Sequence, residues 1–265
     1  MTLAAGLWIA MSFRVIRPLL FYAGVVLVWQ LLSLAEVWPS YLFPSPAAVF
    51  DSLAQNVQNG VVIQAILLSL NRMAIGYISS FILGAFLGLL TGTIQWMDDT
   101  LGTAVLGLQS LPSITWLPLA ILWIGLNQQA IIFVVLMGSL FSIAISTRAG
   151  VRGIPPILQQ AAQTFGATRW QMYRYVVLPG MLPSIVQGLK LGWSFAWRSL
   201  MAGELLFVSP GLGQVLNRGR DLNDMSLVIA IMLVIMAIGL TFDRLLFGRL
   251  EARVQERWGL ATSAL

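Results

Sequence analysis

Long apolar stretches alternate with short polar segments along most of this chain. Six stretches are long enough to cross a hydrocarbon core about 30 Å thick as helices, and they lie at residues 18–35, 70–94, 101–124, 129–147, 184–207 and 226–247. The Pro-rich segment Trp38–Pro46 separates the first two and interrupts the helix, and a short interfacial helix is predicted near 47–57. The pattern predicts an all-α membrane protein with a single transmembrane domain over residues 1–265.

Small residues recur at four-residue spacing in two of these stretches. They form one set in the second span, Gly76, Ser80, Gly84, Gly88 and Gly92, and another in the fifth, Gly188, Gly192 and Ala196. Residues four apart share one helix face, so a neighbouring backbone can approach closely there. Tight packing within the bundle and a moving interface both fit this spacing.

The composition agrees with a chain whose main solvent is lipid. Hydrophobic residues make up 58% of the chain and charged residues 9%, whereas soluble domains carry about a quarter charged residues. With neither Cys nor His, disulfides, thiolate chemistry, His-liganded metals and a His general base are excluded. No Gly-Lys-Ser/Thr triplet can hold nucleotide phosphates. We therefore expect no enzymatic activity and no metal site, and any ATP hydrolysis would occur in another chain.

The arginines are distributed unevenly between the two sides of the predicted bundle. With the N-terminus inside, the cytoplasmic side collects ten, namely Arg14, Arg17, Arg148, Arg152, Arg169, Arg174, Arg244, Arg249, Arg253 and Arg257. The outside receives three, Arg72, Arg218 and Arg220. Because positive charge marks the cytoplasmic side, both termini are predicted to be cytoplasmic. Residues 1–11 are mildly apolar but lack the basic segment that begins a signal peptide, so no signal peptide is predicted. Both Met1 and Met11 are possible starts.

The longest connection, residues 148–183, carries four Arg and no acidic residue. Pro155-Pro156 suits the first turn of a helix that continues from Ile157 to Phe165, and Gly166 suits its end. Thr168 can cap a second short helix through Arg174, which Leu178-Pro179 is expected to end. The residues alone fit an amphipathic segment on anionic lipid headgroups as well as a docking site for a cytoplasmic protein.

The motif within this connection resembles a known loop. Gln160-Ala161-Ala162, then Gly166, then Val176-Val177-Leu178-Pro179 is similar to the signature loop of permease subunits in binding-protein-dependent ABC importers. That loop has Glu-Ala-Ala, three residues, Gly, nine residues, then Ile-x-Leu-Pro. The spacing matches throughout. Gln160 stands where the family has Glu, which weakens any charge-assisted bond to a partner, and Val176 replaces Ile.

Further motifs resemble one subgroup of these permeases, those for nitrate, sulfonate, taurine and bicarbonate. They are Phe43-Pro44-Ser45-Pro46, the run Trp116–Gly125, and Ala202-Gly203-Glu204 followed by Gly211-Leu212-Gly213. The resemblance implies a type I ABC importer permease fold and a small organic or inorganic anion as solute. Some members of the subgroup move other solutes, such as pyrimidine precursors of thiamine, so a solute of that kind is the alternative.

The resemblance also implies partners and a location. The loop would couple to two ATPase subunits, which bind ATP and Mg, so no cofactor is expected in this chain. The ATPase-coupling residues would be Gln160, Ala161, Ala162, Gly166, Leu178 and Pro179. A second permease copy, most simply identical, would complete the pathway, and an extracytoplasmic binding protein would deliver solute. The complex would lie in the bacterial inner membrane.

Polar residues within the spans are candidate pathway groups, because a charge at mid-bilayer costs about 2.5–3.5 kcal/mol. Lys190, Ser194 and Arg198 share one face of the fifth span. Lys190 lies near the inner end and can extend to the interface. Arg198 lies about 21 Å along the helix from residue 184. At that depth its charge fits either structural pairing with an acid or attraction of an anion in the pathway. Glu204 is a possible partner, but it points about 120° away on the same helix, so pairing would run across helices or subunits.

The third span is interrupted by Leu111-Pro112-Ser113 and Leu117-Pro118. Proline frees backbone carbonyls, which at membrane depth must face protein or a watery cavity. The polar and aromatic residues around the break, Gln109, Ser110, Ser113, Thr115 and Trp116, are therefore candidates for the pathway. A plain kink fits the same residues.

Two other function classes need features that this chain lacks. A gradient-driven secondary transporter is expected to place ion ligands or paired acids near the midplane, and Glu204 is the only intramembrane acid that we propose. A membrane enzyme would need a His, a Cys or a carboxylate pair at depth. Both remain weaker hypotheses than the importer permease.

Overall fold

The computed structural model describes residues 2–207 and 209–258, with side chains from residue 16 onward. Its α-helices are α1 (Thr2–Leu34), α2 (Pro46–Gln58), α3 (Val61–Thr93), α4 (Gln95–Met97), α5 (Thr103–Gln109), α6 (Leu117–Ile124), α7 (Gln128–Arg152), α8 (Pro156–Thr164), α9 (Arg169–Met172), α10 (Leu178–Leu206), α11 (Leu212–Asp221), α12 (Met225–Thr241) and α13 (Gly248–Arg257). Both proposed starts lie outside the residues described with side chains, as does Arg14.

Fewer helices than predicted are long and apolar enough to cross a membrane. Within the described residues there are four, Ile16–Leu34, Val61–Thr93, Gln128–Arg152 and Met225–Arg257, or five if the pair Gln95–Gln109 and Ser113–Ile124, bent by 103°, counts as one. The prediction of six apolar spans is therefore too high. The predicted fifth span corresponds to α10, which is long enough at 29 residues but whose Lys190, Arg198 and Glu204 make it more polar than the others.

The chain divides into two compact units. Residues 1–63 with 215–233 form the first unit, and residues 64–214 with 234–265 form the second. In the first unit the Trp29 indole N–H donates to the Pro44 carbonyl over 3.0 Å, which ties the Pro-rich segment to α1. Ser45 caps α2 by accepting from the Ala48 N–H, so the short helix predicted near 47–57 is confirmed. A single transmembrane domain over the whole chain stays a prediction.

In the second unit α7 has 13 buried residues against 11 in α10, and it lies against both α3 and α10. A Cβ on Gly84 would lie 2.7 Å from the Leu140 carbonyl oxygen, and one on Gly192 would lie 2.9 Å from the Ile143 side chain. Ser80 on α3 also donates across this contact to the Leu136 carbonyl. The close approach predicted from the four-residue spacing is confirmed, while movement at these interfaces stays a prediction.

The second short helix of the long connection does not end where the sequence suggests. A π-helical turn, Tyr173–Val177, joins α9 directly to α10, and Pro179 lies in the first turn of α10. The prediction that Leu178-Pro179 ends the second helix is therefore wrong. Proline is tolerated in a first helical turn, where its missing N–H has no intrahelical role, and the wider π turn accommodates the change in hydrogen bonding just before it.

Candidate coupling loop and solute pathway

The first short helix of the connection, α8, has the predicted limits. Pro155 precedes it and Pro156 is its first residue. At its end the Phe165 N–H donates to the Ala161 carbonyl and the Ala167 N–H donates to the Ala162 carbonyl, both over 3.0 Å. Gly166 adopts a φ of +76°, a backbone conformation that favours glycine. The predicted helix and its glycine stop are confirmed.

The surface of α8 is exposed along its whole length. None of its residues is buried, and Gln160 and Ala161 are both exposed. Ile157 is 66% exposed, and Phe165, directly after the helix, is 90% exposed. A helix with free apolar side chains, set on a basic connection, is suited to dock into a partner or an interface.

The second short helix, α9, begins with a reciprocal cap. The Gln171 N–H donates to the Thr168 hydroxyl over 3.3 Å, and the Thr168 N–H donates to the Gln171 side chain over 2.8 Å. This pair satisfies two backbone donors that a helix start otherwise leaves free. The cap predicted at Thr168 is confirmed, and it fixes the direction in which the chain returns towards α10.

Both ends of the connection are anchored in one apolar cluster. Val151 and Ile154 come from its beginning and Val177 and Met181 from its end, and all four are buried together. Leu89 of α3 packs against the same cluster. The two ends of the connection are therefore held together by packing that also includes α3, α7 and α10.

An ion-pair cluster lies at the same end of α7. Asp98, in the π-helical turn Asp98–Gly102, forms ion pairs with Arg148 and with Arg152, the second at 2.7 Å. Asp98 is 7% exposed, whereas the two arginines are 24% and 39% exposed. The predicted cytoplasmic connection that carries acidic residues thus has its buried acid neutralised by arginines of α7.

The predicted third span is broken, and the break opens a cavity. The α5 and α6 segments meet at 103°, and beside the junction lies a cavity of about 180 Å³ whose polar lining includes Gln109, Ser110 and Ser113. Trp116, in contrast, is 8% exposed and packs against Phe141 with ring centres 6.1 Å apart. The structure therefore brings Gln109 and Ser113 to one cavity and buries Trp116; their part in a pathway stays a prediction.

The three polar residues predicted to share one face of α10 do so. Ser194 donates to the Lys190 carbonyl, and the Arg198 Nε donates to the Ser194 carbonyl over 3.0 Å. Lys190 does not stand alone, since its ammonium pairs with Glu251 of α13 at 2.9 Å. Arg198 is exposed, and its guanidinium carbon lies 5.0 Å from the Phe195 ring centre.

Glu204 has a partner that the sequence analysis did not propose. Arg72 of α3 donates to the Glu204 carboxylate over 2.8 Å, and the side chains are 2% and 0% exposed. Ser69, one turn before Arg72, also donates to this carboxylate. Arg72, counted among the outside arginines, lies inside α3 and is buried; its side of the membrane stays a prediction. Two opposite charges in different spans, each costly alone, were the signal for this pair.

The turn after α10 closes over the same carboxylate. The Gly213 N–H donates to Glu204 over 3.0 Å, and the Leu212 N–H donates to the Ser69 hydroxyl over 2.9 Å. A Cβ at Gly211 would lie 2.5 Å from both carboxylate oxygens, so only glycine fits there without displacing them. The motif Ala202-Gly203-Glu204 with Gly211-Leu212-Gly213 thus forms a buried site in which both oxygens of the chain's own Glu204 carboxylate accept hydrogen bonds.

Comparison with known proteins places this architecture. Residues 80–256 match the family described as binding-protein-dependent transport system inner membrane component. A putative ABC transporter permease protein of Methanocaldococcus jannaschii is 34% identical over 84% of this chain and 85% of the relative. A putative aliphatic sulfonates transport permease protein of Escherichia coli is 30% identical over 93% of each chain.

Other similarities agree in subgroup and fold. The nitrate import permease protein of a Synechocystis species is 27% identical over 87% of this chain and 86% of the relative, as expected from the subgroup motifs. An inward-facing structure of the MetNI methionine ABC transporter superposes with a TM-score of 0.63 at 20% identity, over 74% of this chain and 97% of that one. The chain therefore belongs to the binding-protein-dependent transport system inner membrane components, as a multi-pass permease subunit of the nitrate, sulfonate and taurine subgroup of ABC importers.

Proposed function

We propose that this permease forms the pathway for a small organic or inorganic anion, such as a sulfonate, taurine, nitrate or bicarbonate, and that separate ATPase subunits drive it through α8. The observation that carries the proposal is an exposed, apolar-rich α8 whose two flanks share one buried cluster. A helix presented in this way can receive force from a partner and pass it on as a rigid-body movement.

The small residues of α8 suit contact with an ATPase cleft. Ala161 is exposed and Ala162 is partly exposed. Because both side chains are single methyl groups, a partner backbone can approach the helix closely at these positions. Gln160 offers amide hydrogen bonds in place of the carboxylate found in the family. Two ATPase chains that close on ATP and Mg would bring two copies of α8 together, and the shared cluster would carry this movement into α7 and α10. In this mechanism the chain performs no covalent chemistry.

The remaining partners and the orientation complete the proposal. A second copy of the chain would form the other half of the pathway, and an extracytoplasmic binding protein would deliver the solute. The excess of arginines on one side supports cytoplasmic termini. The names of the sulfonate and nitrate relatives support an anionic solute, and a thiamine-precursor-like solute is the alternative, because selectivity rests largely with the binding protein.

Uptake into proteoliposomes tests the proposal. The chain is reconstituted alone, with the ATPase subunit, and with both the ATPase subunit and the binding protein, and uptake of labelled taurine, nitrate and bicarbonate is followed with and without ATP. We expect uptake only in the complete system with ATP. Gradient-driven uptake by the chain alone would refute the proposal in favour of a secondary transporter.

A further inference from the structure

We propose that the cavity at the broken span, together with Arg198, is an oxyanion subsite that binds small oxyacid anions such as a sulfonate group or nitrate. The proposal rests on the pathway function above and deepens it by assigning the solute's charged group to particular side chains. Gln109, Ser113 and Arg198 would provide the donors and Phe195 the wall between them.

Phe195 connects the cavity to the cation. Its ring lines the cavity beside Gln109 and Ser113, and the Arg198 guanidinium carbon lies 5.0 Å from the centre of that ring. The guanidinium therefore lies against a side chain that lines the cavity. Its Nε is already used by the Ser194 carbonyl of its own helix over 3.0 Å. This bond orients the planar group and leaves the two terminal nitrogens to donate elsewhere.

The charge of Arg198 is unbalanced among the described residues. Four other cations, Arg72, Arg148, Arg152 and Lys190, each lie within 4.0 Å of a buried or half-buried carboxylate. Arg198 has no such carboxylate among the described residues. An intramembrane arginine needs a partner or an aqueous cavity because its burial in hydrocarbon is costly. A planar guanidinium binds oxyanions through two parallel hydrogen bonds.

The cavity itself has the size and polarity for such a group. Its volume of about 180 Å³ corresponds to about six water molecules at about 30 Å³ each and is smaller than the drug-sized range of about 300–1,000 Å³. The Gln109 amide and the Ser113 hydroxyl have no hydrogen-bond partner within the described part of the chain. Both can donate to an oxygen, and no carboxylate lines the cavity to repel an anion.

Saturation-transfer NMR on the purified permease in lipid nanodiscs tests this assignment. The probes are methanesulfonate and its neutral isostere dimethyl sulfone, whose methyl protons report binding directly, with empty nanodiscs as background and nitrate as competitor. We expect methanesulfonate to bind, nitrate to displace it, and dimethyl sulfone to bind at least about tenfold more weakly, since it lacks the charge that strengthens these bonds.

Three variants locate the site. Arg198→Gln is expected to weaken methanesulfonate binding by about ten- to a hundredfold, as for loss of a hydrogen bond to a charged group, and Gln109→Leu to weaken it by a smaller factor. Arg220→Gln, which removes an exposed arginine elsewhere, is the charge-matched control and should bind as the wild type does. Because Arg198 bonds only to its own helix backbone, the glutamine variant should fold, and Gln109→Leu tests the same cavity from its other wall.

The outcomes separate this subsite from the proposed function. Absence of methanesulfonate binding, equal binding of the sulfone, or wild-type binding by both Arg198→Gln and Gln109→Leu would each overturn the subsite. ATP-driven uptake of a solute in the complete system without such binding would leave the permease function standing and remove the subsite alone. Arg198-dependent binding with no ATP-driven uptake would support the subsite and remove the coupling proposal.

Discussion

Arg72 and Glu204 allow the sharpest quantitative prediction about this fold. Their charges are separated by 2.8 Å and are 2% and 0% exposed, so removing one partner leaves the other charge buried without compensation. Such single removals cost about 3–5 kcal/mol of the free energy of unfolding. We expect Arg72→Met and Glu204→Gln each to fall in this range.

The double variant distinguishes an ion pair from two independent polar residues. The amide introduced by Glu204→Gln keeps an oxygen that can accept from the Gly213 N–H, which in the wild type donates to the carboxylate over 3.0 Å. With Met in place of Arg72, no charge remains in the site. The double variant should therefore lose at least about 2 kcal/mol less than the sum of the two single losses, within the coupling range for groups in contact.

The assay is reversible unfolding of the purified protein in mixed micelles with increasing dodecyl sulfate, followed by tryptophan fluorescence, since the chain has 10 Trp. Arg220→Met is the matched control, because its pair with Asp221 is 69% and 66% exposed and should contribute at most about 1 kcal/mol. A loss for Arg72→Met no larger than that of the control, or losses that simply add in the double variant, would refute the reasoning.

Three further predictions concern coupling, helix packing and the cytoplasmic ion-pair cluster. Ala161→Trp should abolish co-purification of the ATPase subunit, because the large side chain obstructs close approach to α8. The same change at Ala47, an exposed residue of α2, should leave co-purification intact. Equal co-purification of the ATPase subunit with both variants would contradict the docking role. Gly88→Ala should lower the unfolding free energy by about 1–3 kcal/mol, since its Cβ would lie 2.5 Å from the Thr147 Cβ. Gly107→Ala, whose Cβ would have no atom within 4 Å, should raise the unfolding free energy by about 0.5–1 kcal/mol. The same unfolding titration measures both variants, and losses of equal size would count against close packing at Gly88. Asp98→Asn should lower the midpoint of that titration, because its two arginine partners lose a charge-assisted acceptor. An unchanged midpoint would mean that solvent already screens the cluster.

Local sequence signals predicted the short helices of the connection 148–183 well. Pro156, Gly166 and Thr168 act through backbone geometry and capping within one or two turns, and the structure has a helix start, a helix stop and a cap at these residues. The helix end predicted from Pro179 was wrong, because whether a proline ends a helix depends on the turn before it. A π turn there lets α9 run on into α10, and no short-range pattern announces that turn.

The pathway candidates were predicted as a set, but their surroundings were not. The prolines at the third span predicted a break and the polar residues near it, and Gln109 and Ser113 do share a cavity. Trp116, chosen by the same proximity, turns into the core against Phe141. Which way a side chain points at a break depends on the helices packed around it, and α7 decided this for Trp116.

The sequence by itself determined that the chain is a helical membrane protein, which helix faces pack closely, and where the two short helices of the connection lie, because apolar length, glycine spacing and capping are properties of neighbouring residues. Only the tertiary structure decided which charges meet. Arg72 and Glu204 are 132 residues apart in the chain, and Arg148 and Asp98 are 50 apart. A helix period relates residues three or four positions apart, so it carries no information about such pairs, and the packing of α3, α7 and α10 alone brings these charges together.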